Sequence, residues 1–399
     1  MNSNEDFKIE KIDNQLDGKN IAILISSGIA AYKTPSIIRH FRQHGANIKV
    51  FITPEASKFV TETTLEWASN NSIITFLSPK SEHLTENINA YVFVPITHNT
   101  ISKIANGIGD NAVTTTFISA LGKLENEETK ILIAPTMHGS MMNSIYKENI
   151  EKLKQKGIKI IEPIIKLNKA NIPKSNTIVT ETIKEISKSS LKGKKVLITA
   201  GPTPGKIDNV RMIVNRFKGR LGIEIAKEAY MRGADVILII GSSGLPIPSY
   251  IKTYKIRSYE EYYKKTFEIL KKENPEFGIF SAAVADYLPV KIKKGKIPSG
   301  GAIKSISLKE SRKVIKDIRK QFPFLHMTTF KYEELLTKEK LIETAKKRID
   351  SGYNLVIANR GEDMIKEYKG FIVNPKKEIK EVNSKKDLSK KLMNILEKI

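Results

Sequence analysis

None of the 399 residues is a cysteine, and only one is a tryptophan. The first absence removes disulfides, Cys-ligated zinc, iron–sulfur clusters and any cysteine nucleophile or proton donor. Long apolar runs are also missing. None approaches the roughly 20 residues of a membrane span, and the polar start MNSNEDFKIEK lacks the apolar core of a secretory signal. The chain reads as a soluble cytoplasmic protein. Acidic residues are in deficit, 43 against 67 Lys and Arg, giving a formal net charge of +24. That excess favours anionic partners. The lysines alternate with glutamates along helical stretches such as 149–156 and 338–347, the pattern of a solvated face. No RNA-binding aromatic motif, zinc finger or arginine-rich tail accompanies them. Anionic small molecules fit this distribution better than nucleic acid or a membrane does. A basic nucleotide- or RNA-binding protein is the non-enzymatic alternative, and it predicts binding that falls steeply with salt.

At roughly 150 residues per domain the length allows two or three domains. Two segments open alike. Lys19 to Ser26 (KNIAILIS) is a continuous apolar run ending in Ser27-Gly28, followed by a helical pattern through Ala30, Ala31, Ile37, Ile38 and Phe41. Lys194 to Ala200 (KKVLITA) ends in Gly201-Pro202-Thr203, with a helical pattern from Gly219 through Leu221, Ile223, Ile225 and Ala226. A strand buried on both faces is apolar throughout, so each run reads as the first strand of a parallel α/β sheet. Further apolar runs at 47–53, 90–95, 130–135 and 157–161 complete a first doubly wound sheet. Those at 235–240, 277–282, 325–329, 354–358 and 371–373 complete a second. The weak pattern between them, rich in Pro, Asn, Ser and Lys, marks a junction. The expected organisation is a tail over 1–18, a first α/β domain over 19–166, a linker over 167–192 and a second α/β domain over 193–399. Both domains are expected to be Rossmann-like.

In an open α/β sheet, ligands sit beyond the carboxyl ends of the strands, where helix N-termini offer free N–H groups. Ser26-Ser27-Gly28, Thr53 and Thr97-His98-Asn99-Thr100 follow three such ends. His83 is a candidate acid/base because imidazole titrates near neutrality. The string EHLTENINAYVFVPITHNTISKIANGIGDNAVTTT, from Glu82 to Thr116, resembles the flavoprotein decarboxylases acting on peptidyl or pantothenoyl cysteines. In these, a catalytic His precedes a Pro-x-x-x-Asn-Thr strand end and an Ala-Asn-Gly-Ile-x-Asp-Asn helix. Pro135-Thr136-Met137-His138 looks like the family's substrate-binding loop Pro-x-Met-Asn. The resemblance implies FMN held by Ser26, Ser27, Gly28 and Thr53, with His83 as acid/base. Asn99 would position the substrate carboxylate, with Met137 and His138 beside the substrate. The family chemistry it implies is oxidation of the cysteine thiol to a thioaldehyde, loss of the neighbouring carboxylate, and return of the hydride.

In the second half, Gly201 to Gly222 (GPTPGKIDNVRMIVNRFKGRLG) combines a tight glycine turn with Arg211, Arg216, Lys218 and Arg220 beside a helix start, a pattern suited to a triphosphate or phosphorylated acid. The segment resembles phosphopantothenate–cysteine ligases, whose signature begins Gly-Pro-Thr and runs through Ile-Asp-x-Val-Arg. Ala282-Ala283-Val284-Ala285-Asp286-Tyr287 and Lys291-Ile292-Lys293-Lys294 match later motifs of that family. Phe330 in TTFKYEE and Asn359 in VIANR match two more. The resemblance implies CTP-dependent amide synthesis with Mg²⁺. Asn215 and Arg211 would act on the acyl-cytidylate and its acid, Ala282, Ala283 and Asp286 on the cytidine part, and Lys291 on the triphosphate. Phe330 and Lys347 would be lesser nucleotide contacts. The loop 291–305, with five lysines, reads either as a basic flap closing over an anionic ligand or as a solvated loop.

Together the two halves resemble a fusion of coenzyme A biosynthesis, using 4′-phosphopantothenate, cysteine and CTP, and imply a homo-oligomer. Three departures stand out. Members acting on coenzyme A precursors usually carry a reactive cysteine in a clamp after the last strand; here that stretch reads Leu167-Asn168-Lys169-Ala170-Asn171-Ile172-Pro173. The loop Asn is His138. The ligase turn Asn-His-Ser-Ser-Gly-Lys is Asn215-Arg216-Phe217-Lys218-Gly219-Arg220, with Arg216 or Lys218 as substitutes for the lost hydroxyls. Three outcomes are open for the first half: His138 or Lys169 supplies the proton, reduction is incomplete, or a flavin-fold domain persists beside a ligase without decarboxylation.

Overall fold

The computed structural model describes residues 8–84, 87–300, 305–364 and 368–399, and its contacts divide the chain into two compact units, Met1–Ser187 and Lys188–Ile399. In the first unit the parallel sheet is built from β1 (Asn20–Ile25), β2 (Asn47–Ile52), β3 (Ile73–Ile74), β4 (Ala90–Ile96) and β5 (Lys130–Pro135). After a short β6 (Met137–His138), β7 (Lys159–Ile160) completes it, in the order β3-β2-β1-β4-β5-β7. Ile21 to Ile25 and all of β4 are buried, as expected of strands covered on both faces. Ala22, Leu24, Phe51 and Phe93 pack with α3 (His98–Ala105), α4 (Ala112–Glu125) and α5 (Ser144–Gln155) in one core. Elsewhere α1 (Thr34–Gln43) packs against α2 (Glu62–Ser69) and α6 (Ser175–Ile186).

The described part of the expected tail is docked. The amide of Ile12 donates to Gln43 O and that of Leu16 to His44 O, each at 2.8 Å, and Asp13 meets His44 Nδ1 at 2.7 Å. The stretch 167–192, expected as a linker, holds β9 (Lys169–Asn171) and α6, while the division between units falls after Ser187. β8 (Ile164–Lys166) and β9 form a hairpin whose turn residues Leu167 and Asn168 both have positive φ, as a two-residue primed turn requires. Three-residue strands are too short to show an apolar period, so only the turn-rich composition is visible in sequence.

In the second unit an eight-stranded sheet holds β10 (Lys195–Ala200), β13 (Asp235–Gly241), β14 (Lys252–Ile256), β15 (Phe277–Phe280), β18 (His326–Glu333), β19 (Leu355–Arg360), β20 (Gly370–Val373) and β21 (Ile379–Val382). The order is β14-β13-β10-β15-β18-β19-β20-β21, parallel up to β19 and antiparallel beyond. Two hairpin-like pairs stand outside it: β11 (Gly205–Lys206) with β12 (Met212–Ile213), and β16 (Tyr287–Pro289) with β17 (Leu308–Glu310). Alternate residues of one strand enter opposite cores. Val196, Ile198 and Ala200 pack with α7 (Arg220–Met231) and α11 (Lys385–Leu396). Leu197 packs with α8 (Tyr259–Glu273), α9 (Val314–Gln321) and α10 (Lys338–Asp350). The edge strands β14 and β21 each bury a single residue, so neither shows an apolar run in the sequence.

Candidate active sites

In both sheets the chain starts at a central strand, winds to one side, then returns to add strands on the other. The crevice of such a sheet opens where that reversal occurs. It lies between β1 and β4 in the first unit and between β10 and β15 in the second.

At the first crevice Ser26 is buried, and its hydroxyl joins the two strand ends: it donates to Pro95 O at 3.1 Å and accepts from the Thr97 amide at 2.9 Å. Ser27 and Gly28 follow, and a Cβ on Gly28 would stand 3.3 Å from Thr97 Cγ2. Thr53, at the end of β2, is buried with its hydroxyl lacking any partner among the described residues. Thr97 begins α3 without a side-chain cap bond, and Asn99 lies exposed in that helix's first turn. An unpartnered buried hydroxyl, a close-fitting glycine and an uncapped helix start suit an anionic, hydrogen-bonding ligand such as a flavin phosphate.

His83 is not brought to this crevice within one chain. Its turn, 82–84, is held by Lys49 Nζ on Glu82 O at 3.2 Å and Lys123 Nζ on Leu84 O at 3.5 Å. Lys49 lies in the first half of β2 and Lys123 in the last turn of α4, toward the sheet edge opposite the strand C-termini. His83 is half-buried and its Nδ1 has no partner among the described residues. Ser78 donates from both hydroxyl and amide to Glu82, which holds that carboxyl down to about 2 and fixes the turn.

The two residues weighed as proton donors do come together. β6 pairs antiparallel with β9, placing Met137 opposite Ala170 and His138 opposite Lys169. Met137 is buried in the core, whereas His138 and Lys169 are exposed. His138 Nδ1 lies 3.0 Å from Ser140 Oγ. Sequence spacing of 31 residues gave no sign of this pairing.

At the second crevice α7 begins against the Gly201 turn. Gly219 has φ +86°, and a Cβ there would lie 2.5 Å from Gly201 N, so only glycine fits. Asn215 Nδ2 donates to Ala283 O at 3.1 Å and Val284 O at 3.2 Å, which brings Asn215, Ala282 and Ala283 to one place. Thr203, the buried last residue of the Gly-Pro-Thr turn, accepts from the Ala285 amide at 2.9 Å and donates its own amide to Ala283 O. Asp286 pairs with Lys313 at 2.7 Å, a bond that raises the Lys313 ammonium's pKa. Arg216, offered as a phosphate ligand, is bonded to Tyr332 Oη and Glu334 Oε1, each at 3.0 Å. Lys218 and Lys291 are exposed. Phe330 is half-buried against the core. Lys347 is not brought in: it lies in the last turn of α10, ion-paired with Glu343 at 2.7 Å on the helix surface.

Arg211 has two acceptors, Asp208 Oδ2 at 2.8 Å and Ile297 O at 3.1 Å. The basic loop, described as far as residue 300, is thus tied to the β11–β12 turn. Its remainder, 301–304, lies outside the described residues.

Two family models cover nearly all of the chain: a flavoprotein model over residues 10–187 and the DNA/pantothenate metabolism flavoprotein C-terminal domain over 191–399. A coenzyme A biosynthesis bifunctional protein CoaBC of Thermococcus kodakarensis is 36% identical over 354 residues, 86% of each chain. The chain belongs to the family of these bifunctional proteins. The Methanocaldococcus jannaschii member is 33% identical over 396 residues, 96% of this chain and 94% of that one. Among solved structures, the DNA/pantothenate metabolism flavoprotein of Streptococcus pneumoniae aligns with 52% of this chain and 99% of its own at 23% identity and a TM-score of 0.48. No helix among the described residues is long and apolar enough to cross a membrane.

Proposed function

We propose that this family member catalyses two consecutive steps of coenzyme A biosynthesis. The second unit joins cysteine to 4′-phosphopantothenate at the expense of CTP, and the first decarboxylates the product to 4′-phosphopantetheine with FMN. The observation that carries this reading is that each unit has its own strand-end crevice, with the Ser26–Thr53 pair at one and the Asn215–Ala283 bonds at the other.

In the ligase the substrate carboxylate attacks the α-phosphorus of CTP, pyrophosphate leaves, and the cysteine amine displaces CMP from the acyl-cytidylate. Negative charge grows on phosphoryl and acyl oxygens, so preplaced donors matter most. The Asn215 NH2 is already engaged with two carbonyls, so Asn215 braces the crevice wall, and the donors for this charge are the free amides of the α7 N-terminus, which lies against the Gly201 turn. Lys291 would meet the triphosphate, and Mg²⁺, where bound, would supply charge neutralisation for the leaving pyrophosphate.

FMN, when bound, supplies two-electron oxidation of the thiol and returns the electrons after carbon dioxide is lost. Ser26, Ser27, Gly28 and Thr53 hold it, and Asn99 orients the carboxylate to be lost. His83 moves the thiol proton, reaching the crevice of a neighbouring copy in a homo-oligomer, since within its own chain it lies toward the opposite edge. The carbon that loses the carboxylate is protonated from the His138–Lys169 pair, which replaces a thiol the chain does not have.

An anaerobic assay with 4′-phosphopantothenate, cysteine, CTP and Mg²⁺, following pyrophosphate and carbon dioxide separately, tests both halves. Both products are expected. Pyrophosphate alone reduces the protein to a ligase with a flavin-fold domain. Asn215→Ala should lower pyrophosphate release at least about 100-fold while leaving decarboxylation of supplied 4′-phosphopantothenoylcysteine intact. His83→Asn should do the reverse, cutting carbon dioxide release by about 100- to 10,000-fold.

A further inference from the structure

Asp208 lies at the tip of the β11–β12 turn with its side chain fully shielded from solvent. Four donors converge on its carboxylate: the amides of Val210 at 2.7 Å, Arg211 at 2.6 Å and Ile297 at 3.0 Å, and the Arg211 guanidinium at 2.8 Å. These donors hold the carboxyl well below the usual carboxylate range, the Ile297 amide foremost. Val210 and Arg211 belong to Asp208's own turn, whereas Ile297 comes from the lysine-rich loop 89 residues away. The same two segments exchange three more bonds: Lys293 N to Ile207 O at 3.0 Å, Asn209 N to Gly295 O at 3.2 Å, and Arg211 to Ile297 O at 3.1 Å.

Both ends of the β11–β12 segment are fixed at the second crevice. Thr203, just before it, is bonded to Ala283 and Ala285, and Asn215, just after it, to Ala283 and Val284. A rigid arm therefore runs from the crevice to Asp208 and from there to the loop holding Lys291, Lys293, Lys294 and Lys296. We infer that Asp208 is a positioning residue for ligation: its buried carboxylate latches the lysine-rich loop to the arm and so keeps the loop's positive charge in register with the nucleotide crevice. Arg211 is the second half of the latch, since its guanidinium bonds both the carboxylate and the loop carbonyl. A neutral amide in place of the carboxylate has one acceptor oxygen and turns a donor toward donors, so it cannot serve all four.

The latch rests on the ligase reading for its purpose but not for its existence, and two readouts separate them. The first is tryptic cleavage after Lys293 and Lys294 in the full chain without substrate. Asp208→Asn should raise that rate about tenfold or more, because bonds to a charged acceptor are among the stronger ones. Ile297→Pro removes only the loop's donor, leaves Asp208 its three partners in the turn, and should give a similar rise. It decides the matter if Asp208→Asn does not fold. The second readout is steady-state ligation, where both variants should raise the KM for CTP about tenfold, with the KM for cysteine changed less than about twofold. Combined, the two substitutions should cost no more than the greater of them alone. Unchanged cleavage in Ile297→Pro overturns the latch. Faster cleavage with an unchanged KM for CTP overturns its positioning role. A wild-type protein that releases no pyrophosphate overturns the ligase reading and the positioning role built on it, while the cleavage arm still decides whether the latch exists.

Discussion

The two units use the same crossover to make a crevice but differ in how the polar groups around it are engaged. At the first, one buried hydroxyl, Ser26, ties the strand ends together, and a second, Thr53, has no partner among the described residues. At the second, Thr203, Asn215 and Asp208 are all bonded within the protein, and exposed Lys218 and Lys291 carry positive charge nearby. A crevice with an unpartnered buried hydroxyl is completed by its ligand, as expected of a resident flavin. One whose turns are already braced holds its shape while substrates come and go, as expected of a ligase that must bind substrates and release products in each turnover. The single tryptophan, Trp67, lies on α2 of the first unit, so its fluorescence reports that unit alone while circular dichroism reports both.

The largest expected effect breaks the second crevice only. Gly219→Ala forces a side chain into a left-handed backbone and against Gly201, and should destabilise the second unit by about 3 kcal/mol. Pyrophosphate release should be lost and the circular dichroism transition should move down, while the Trp67 transition and flavin uptake stay as in wild type. A parallel fall in the Trp67 transition would show that the units do not unfold separately.

Acid sharpens the comparison from the other side. His326 begins β18, and burial, with a smaller contribution from Arg319, pushes its pKa down to about 4. Between its unfolded value of about 6.5 and its folded value of about 4 the unfolded chain binds more protons than the folded one. The stability from neutral His326 is present above about pH 6.5 and is lost as pH falls toward 4, a loss of about 2 kcal/mol for a partly exposed group. Acid titration should lower the circular dichroism transition over that range, and His326→Gln should flatten the dependence.

Much of this molecule is legible in its sequence. β1 and β10 announce themselves because strands covered on both faces must be apolar throughout, and Ser26-Ser27-Gly28 and Gly201-Pro202-Thr203 follow them directly. What escapes is whatever depends on chain segments far apart. Asp208 stands inside a recognisable motif, yet one of its four donors, the Ile297 amide, comes from 89 residues away. His138 meets Lys169 only through a hairpin of three-residue strands. His83 reads as part of the first site by motif, but its turn is held toward the other edge of its own sheet, and no local pattern encodes that. Lys347 sits in a helical Lys–Glu repeat that reads equally well as site or solvated face, and its ion pair to Glu343 is the solvated one.

The smallest effect separates the two hydroxyls of the first crevice. Ser26→Ala deletes a buried donor and acceptor at once, leaving Pro95 O and the Thr97 amide short of a partner, and should cost about 2 kcal/mol with or without flavin. Thr53→Val removes a hydroxyl that no described residue uses, and valine has nearly the same shape. In flavin-free protein the Trp67 transition should change by less than about 0.5 kcal/mol. The difference should emerge only on adding FMN, where affinity falls about tenfold and the stabilisation that bound ligand confers shrinks by the corresponding 1.4 kcal/mol or so. If Thr53→Val instead weakens the flavin-free protein as much as Ser26→Ala does, the Thr53 hydroxyl has a partner within the fold. The first crevice would then be braced like the second, and the contrast between them would lie in charge alone.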